Sequence, residues 1–374
     1  MKTFAGPTGD WRTALVTSQS DWQRLKPEWD DLHERCESAT PFQTHAWLGS
    51  WWQQYGRQDT LRVLVVSDGG RLLAGLPLMR HHRWGLRVLG PVGMAHSDFT
   101  DILLDDLDGA EAVRAATGAL MGLPGWDVLD LPEVRPGAAI DRLCARWPKR
   151  VWRSAGSACL FMAALPIERH VADIGGRSAG KLRRTLRKID ELGVATVSVP
   201  VERVETAVDD LLRLHCRQWA GRGINKEHLS PRFREHLVRT AGELIGEDRA
   251  SITEFRVDGE LVASNFSLVG KDFAGGYLYG ADPELRNRID TFALVLRQSL
   301  KEAGERGLPA LSMLRGAEPH KAKWGAAEVA NQRVLLARTH RAALYAAATG
   351  GKTGAATLLK RHFPQLADSL RRPL

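Results

Sequence analysis

The densest run of groups able to do chemistry lies between Leu311 and Gly325, Leu-Ser-Met-Leu-Arg-Gly-Ala-Glu-Pro-His-Lys-Ala-Lys-Trp-Gly. Arg315, Glu318, His320 and Lys321 fall within seven positions, directly after an apolar run. Gly316 frees the backbone and Pro319 blocks regular pairing, so the pattern predicts a strand ending in a shaped loop that presents side chains to a ligand. A lysine in such a loop is a compact point charge, suited to an oxyanion or a phosphate oxygen. A plain surface loop would carry the same charges, and spacing alone does not separate the two readings.

Other groupings could serve the same chemistry. Arg286 and Arg288 stand just before a predicted helix over 290–303, where two cations suit a phosphate and Asp290 suits an N-cap. Arg177, Lys181, Arg183, Arg184, Arg187 and Lys188 crowd a second helix whose apolar residues are Leu182, Leu186 and Ile189; this face binds phosphate or is simply solvated. His96, Ser97, Asp98, Thr100 and Asp101 gather polar groups before Ile102. His215 lies on the apolar side of its helix and reads as a packed, hydrogen-bonded residue.

Several chemistries find no motif. There is no Gly-x-x-x-x-Gly-Lys, and no Gly-x-Gly-x-x-Gly between a strand and a helix. Neither a Ser-His-Asp nor a Cys-His nucleophile can be read from spacing. Cys36, Cys144, Cys159 and Cys216 are scattered, with no Cys-x-x-Cys and no histidine at metal spacing, so neither disulfides nor a metal site is expected. Direct attack of an acceptor amine or hydroxyl on a bound acyl donor fits this pattern, because it needs positioning, a base and oxyanion stabilisation but no enzyme nucleophile.

These residues must be positioned by 374 residues with 44% hydrophobic content, enough for a sizeable core and for two domains. No apolar run approaches the roughly 18 residues that span a bilayer, and the first 20 residues lack a secretory core, so a cytoplasmic location is expected. The net charge of +8 favours anionic partners.

Periodicity predicts helices over 20–38, with Ser20 and Gln23 as a capping box, and over 44–55, where a face of Trp47, Trp51 and Trp52 could hold a sugar or a base, core packing being the more frequent use of tryptophan at this spacing. Ser67-Asp68-Gly69-Gly70 and Asp258-Gly259 each predict a hairpin. Each is followed by strands, a helix and another strand. Because the Asp-Gly turns stand 258 − 68 = 190 positions apart, the order predicts a tandem duplication. The tail over 349–374 carries Leu358, Leu359, Phe363 and Leu366 among basic residues, and could touch a membrane or a partner, or pack back on its own domain.

The pattern strand, Gly316, Glu318-Pro319, His320-Lys321, Trp324-Gly325 resembles the closing signature of GNAT-like acyltransferases of bacterial polysaccharide synthesis, the cellulose-biosynthesis acetyltransferase group, relatives of the Fem peptidyltransferases. Ser97-Asp98-Phe99, the run from Lys181 to Gly193, and Gly280-Ala281-Asp282-Pro283-Glu284-Leu285 belong to the same resemblance. The family usually has Tyr or Phe where this chain has His320, and a Ser-Pro-Gly loop where it has Arg286-Asn287-Arg288. The resemblance implies an α/β fold of tandem GNAT-like domains with mixed, mostly antiparallel sheets flanked by helices, over 1–165 and 166–348. It implies transfer of acetyl from acetyl-CoA to an amino or hydroxyl group of a saccharide precursor in exopolysaccharide or cell-envelope synthesis. Peripheral contact with the inner membrane is compatible, and DNA is not an expected partner. Lys321 would stabilise charge on the donor and Asp98 would orient or deprotonate the acceptor. His320, Glu318, Arg315, Tyr279, Lys181 and Arg184 would bind substrate, and Arg286 and Arg288 the coenzyme. The alternatives are a Fem-type transferase using aminoacyl-tRNA and a non-catalytic anion-binding module.

Overall fold

Two turns that require left-handed backbone set the strand pairing. Gly69 and Gly70 (φ 54 and 93°) fold Val63–Asp68 back on Arg71–Leu76, and Asp258 and Gly259 (φ 51 and 84°) do the same for Ala250–Val257 and Glu260–Val269. The computed structural model describes residues 2–5, 11–316 and 318–350, a mixed α/β fold with sheets flanked by helices. The expected tail over 349–374 lies almost entirely outside the described residues.

Contacts divide the chain into two units. The first takes the described parts of Met1–Gln43, Gly56–Ser157 and Ala330–Leu374, and the second takes Thr44–Tyr55 and Ala158–Val329. The expected boundary at 165/166 is therefore replaced by one inside the strand Val151–Ala163, because hydrogen-bonded neighbours, not chain position, decide where a strand belongs. Its last residues pair with Ala310–Arg315 in the second unit, while Ser157 bonds to Glu133 in the first.

In the first unit, Lys2–Ala5, Trp11–Val16, Val63–Asp68, Arg71–Leu76 and Leu103–Leu104 form an antiparallel sheet in that order. Pro77, which lacks an amide donor, ends Arg71–Leu76, and the chain resumes as Leu78–Arg83 in different company, paired with Leu86–Pro91. Leu86–Pro91 in turn runs parallel to Val128–Val134. The expected helix over 20–38 is two, Gln19–Arg24 and Lys26–Arg35, because Pro27 starts a new helix. Ser18, not Ser20, caps the first by accepting from the Asp21 amide at 3.1 Å.

In the second unit the order is Ala195–Ser198, Ala250–Val257, Glu260–Val269, Phe273–Ala281, Ala310–Arg315 and Val151–Ala163. Neighbours in this order are antiparallel except Phe273–Ala281 with Ala310–Arg315, which are parallel. The helix Thr291–Glu305 links those two parallel strands, and with Ala179, Leu182, Leu186 and Ile189 of Gly176–Glu191 it buries Leu294, Leu296 and Leu300 in a core that includes Trp324. The order hairpin, strand, helix, parallel strand thus recurs in both units, with Gly109–Gly122 as the first unit's helix.

Three further helices of the second unit, Val204–Trp219, Pro231–Gly246 and His45–Tyr55, follow from amphipathic spacing, but Pro231–Gly246 had no sequence expectation. The tryptophan face of His45–Tyr55 is core, as expected, with Trp47 fully buried against His236 at 4.6 Å. Val204–Trp219 approaches the sheet so closely that a β-carbon on Gly280 would lie 2.4 Å from the His215 amide and 2.7 Å from the Leu211 carbonyl. Both are backbone atoms and neither can swing away. Gly280→Ala should cost about 3 kcal/mol by overpacking, whereas Gly276→Ala, whose β-carbon meets only Asn265 Oδ1 at 3.8 Å, should cost under about 1 kcal/mol; urea unfolding of the two variants measures the difference.

Candidate functional site

The parallel strands of the second unit share only three pairs, Phe273–Ala310, Ala274–Leu311 and Gly275–Ser312. Immediately beyond, both strands bulge. In Phe273–Ala281, Tyr277 is an extra residue between the pairs Phe266–Leu278 and Ser267–Gly276. In Ala310–Arg315, Met313 and Leu314 stand opposite Leu160 alone, between Ser312–Phe161 and Arg315–Cys159. Bulges bend a strand and increase its twist, so the two edges stop pairing at the same level. Leu314 has φ 53°, a left-handed conformation costly for leucine, and its amide is taken by Ser312 Oγ at 3.1 Å. Tyr277 is held edge-on by Trp47 at 5.0 Å and Phe266 at 6.2 Å.

Farther along each strand, several backbone groups have side-chain partners. The Tyr279 carbonyl accepts from His215 Nδ1 at 2.8 Å, and the Ala281 amide donates to Gln218 Oε1 at 2.9 Å. On the other strand, Lys321 Nζ donates to the carbonyls of Met313 (3.3 Å), Gly316 (3.3 Å) and Arg315 (3.5 Å) and pairs with Glu318 Oε2 at 2.9 Å. Lys321 is 14% exposed at its side chain. An ammonium with three protons and four acceptors is engaged, so Lys321 gathers the end of the strand. Burial opposes ionisation of Glu318, but the Lys321 ammonium outweighs it and holds the carboxyl below its ordinary range.

The segment after the strand is a short helix, Pro319–Ala322, entered through Gly316 (φ 111°), where a β-carbon would lie 2.5 Å from Glu318 Oε1. His320 meets Phe292 edge-on at 4.9 Å, at the start of Thr291–Glu305. Asp290 caps that helix, accepting from the Ala293 amide at 3.1 Å, and pairs with Lys323 at 2.7 Å. The cap expected at Asp290 is therefore formed. Its consequence is that the helix start, where a phosphate would be favoured, already carries a carboxylate.

Arg286 and Arg288 lie exposed on the short helix Leu285–Arg288. Tyr279 is half-buried; burial raises its hydroxyl pKa, Asp290 adds to the rise, and Gln218 and Arg286 oppose it. Tyr279 and Arg286 are thus brought within electrostatic reach, and the phenol stays a donor at neutral pH. Lys181 and Arg184 are exposed on Gly176–Glu191 and belong to a stripe with Arg177 and Lys188, at steps of four, three and four residues opposite the buried face. Among the described residues this stripe has no acidic partner; the acids at the end of that helix pair elsewhere, Glu191 with Arg187 and Asp190 with Arg297.

Asp98 belongs to the first unit and is buried. Its carbonyl accepts from Asn331 Nδ2 at 3.3 Å, and the same Nδ2 donates to Glu133 Oε2 at 3.1 Å. Glu133 Oε2 also accepts from the Ser157 amide at 3.1 Å and from its hydroxyl. Glu133 has φ 57° and was not singled out in the sequence, where a lone glutamate after Leu131-Pro132 gives no signal. Nearby Asp101 is structural: it accepts from the amides of Ala139 and Ile140 at 2.7 and 2.9 Å, and burial pushes its carboxyl up to about 6.

Residues 176–322 match the family model described as an acetyltransferase (GNAT) domain. No curated protein matches the chain. Among solved structures, FemX is 9% identical over 89% of this chain and 98% of its own, with a TM-score of 0.58. The C-terminal domain of a candidate lysylphosphatidylglycerol synthetase from Agrobacterium fabrum is 14% identical over 91% of this chain and 98% of its own, at 0.52. L-PGS from Bacillus licheniformis is 12% identical over 84% and 92%, at 0.51. At these identities the likeness is one of fold.

Two outcomes are expected from this geometry. Lys321→Met should leave three carbonyls without their donor and cost about 1–3 kcal/mol of stability, whereas Lys323→Ala, which removes an exposed pair, should cost less than about 1 kcal/mol; thermal melts check both. Burial lowers the pKa of His215 below the ordinary 6.5, against the Tyr279 carbonyl that raises it. The unfolded chain therefore binds the proton more readily, so the stability from neutral His215 is complete above pH 6.5 and declines as pH falls through the folded value. The melting temperature should fall more steeply on acidification in the wild type than in His215→Asn. Residues 176–322 thus carry a GNAT-type acyltransferase fold.

Proposed function

We propose that the chain transfers an acyl group directly from a phosphate-bearing carrier to an amino or hydroxyl group of a saccharide precursor, with the acyl arm in the opening past Gly275 and Ser312. The observation that carries this reading is the parallel pair that ends after three residues with a bulge in each strand. Backbone N–H groups just past Gly275 are suitable donors to an acyl carbonyl and to the oxyanion formed from it. The acceptor nitrogen or oxygen attacks that carbonyl, the new bond forms as the bond to the carrier breaks, and the acceptor's proton ends on the carrier's thiol or hydroxyl. Asp98, with Glu133 beside its segment, is the proposed group for orienting or deprotonating the acceptor. An acyl-enzyme on Cys36, Cys144 or Cys216 is disfavoured, since burial raises the thiols of Cys36 and Cys216 and pushes that of Cys144 up to about 11.

Acetyl-CoA is the first donor considered, its pyrophosphate held by Arg286 and Arg288. A second reading, an aminoacyl-tRNA donor, is favoured by two observations: the carboxylate of Asp290 already at the helix start, and the exposed stripe of Arg177, Lys181, Arg184 and Lys188, which has no acidic partner among the described residues. In either case the proposed setting is exopolysaccharide or cell-envelope synthesis in the cytoplasm; no described helix is long and apolar enough to cross a membrane.

Thermal shift and turnover with acetyl-CoA, free coenzyme A and charged tRNA test the proposal, since a ligand at about 100 times its Kd adds about 2.7 kcal/mol. Stabilisation by coenzyme A that is lost in Arg286→Ala/Arg288→Ala supports the first donor. Stabilisation by tRNA that is lost in Lys181→Ala/Arg184→Ala, with no response to coenzyme A, supports the second. Binding of a sugar nucleotide or other anion with no turnover of any donor would overturn the enzymatic reading.

A further inference from the structure

The strand Phe273–Ala281 loses its parallel neighbour after Gly275, yet its edge does not stay open along its whole length. The amide of Asp282 donates to the Val262 carbonyl at 2.8 Å, toward Glu260–Val269. Successive residues of a strand point their backbone groups to opposite edges, so the groups of Ala281 and Tyr279 face the edge that Ala310–Arg315 would have covered. These are the groups taken by Gln218 and His215, three residues apart on Val204–Trp219. The helix comes this close because Gly280 has no side chain.

His215 is fixed as well. With Nδ1–H given to the Tyr279 carbonyl, its Nε2 is an acceptor, and His228 Nδ1 lies 3.0 Å away as the donor. Asn225 Nδ2 stands 3.3 Å from the remaining nitrogen of His228. His228 in turn stacks on Phe233 at 4.7 Å. The chain of bonds sets one tautomer for both rings, and burial keeps His215 neutral.

Resting on the donor site just proposed, we propose that His215 and Gln218 are positioning residues that wedge the parallel strands apart. They satisfy the backbone groups with which the strands would otherwise close, and so fix the far end of the opening and the size of the acyl arm it admits. They touch neither substrate nor reacting atoms; their effect passes through the strand Phe273–Ala281. A helix that served packing alone would present apolar side chains to this edge and leave the carbonyl and amide without partners.

The test uses the full chain with Gln218→Met, His215→Leu and His215→Asn. Gln218→Met keeps the volume and removes the acceptor; His215→Asn keeps an N–H donor at the same place. If the wedge holds, Gln218→Met and His215→Leu should raise the KM for the donor by about tenfold or more, with kcat and the acceptor KM changed by less than about threefold, and His215→Asn should stay near wild type. Amide exchange read by mass spectrometry supplies a second readout in case His215→Leu folds poorly. Peptides covering 276–281 should exchange faster in Gln218→Met, while those covering Gly176–Glu191 should not change. Wild-type donor KM together with wild-type exchange in Gln218→Met would overturn the proposal. If the wild type binds no donor at all, the acyltransferase reading fails and exchange alone decides the wedge, in the same two directions.

Discussion

Parallel strands hold each other through evenly spaced hydrogen bonds, and when a pair stops short the groups on both edges need other partners or water. In the second unit that stop falls after Gly275 and Ser312, and most of the local architecture answers it. Val204–Trp219 supplies an imidazole and an amide to one strand. Lys321 supplies an ammonium to the last carbonyls of the other.

Small residues make the arrangement sterically possible. Gly275 accommodates Leu314, whose Cδ2 would lie 2.9 Å from an added β-carbon, Gly280 admits the helix, and Gly316 lets Glu318 fold back beside Lys321. The strained Leu314 is held by a buried serine on one side and the strand pair on the other, so its cost is borne by the core around it. Tyr277 is fixed by Phe266 of the adjacent strand and by Trp47, on a helix more than two hundred residues earlier in the chain that groups with the second unit.

Charge is distributed with the same economy of partners. At the start of Thr291–Glu305 the dipole is met by Asp290, itself paired with Lys323, so this helix start is electrostatically complete. The stripe on Gly176–Glu191 is the reverse: cations at helical spacing with no acidic partner among the described residues, the arrangement that yields a long-range field and an ionic-strength-dependent approach of anions. In the first unit the carboxylate of Glu133, held by Ser157 and Asn331 next to the Asp98 segment, gives that unit a polar centre of its own.

What could be read in the sequence was local in cause. The hairpins at Gly69-Gly70 and Asp258-Gly259 were legible because positive φ is a demand of the turn itself, and the helices with alternating three- and four-residue spacing because one face must leave water. The Asp290 cap, the tryptophan core and the packed His215 belong to the same class. The cluster around Lys321 was found as a cluster, but its role was not: the carbonyls that engage the ammonium are presented only once the strand ends there and Gly316 turns the chain. The bulges, the three-pair limit, Glu133 and Gln218 left no mark in the sequence. Each depends on which strand or helix lies opposite. That choice is made by packing between segments far apart in the chain, and no residue records it in its immediate neighbours.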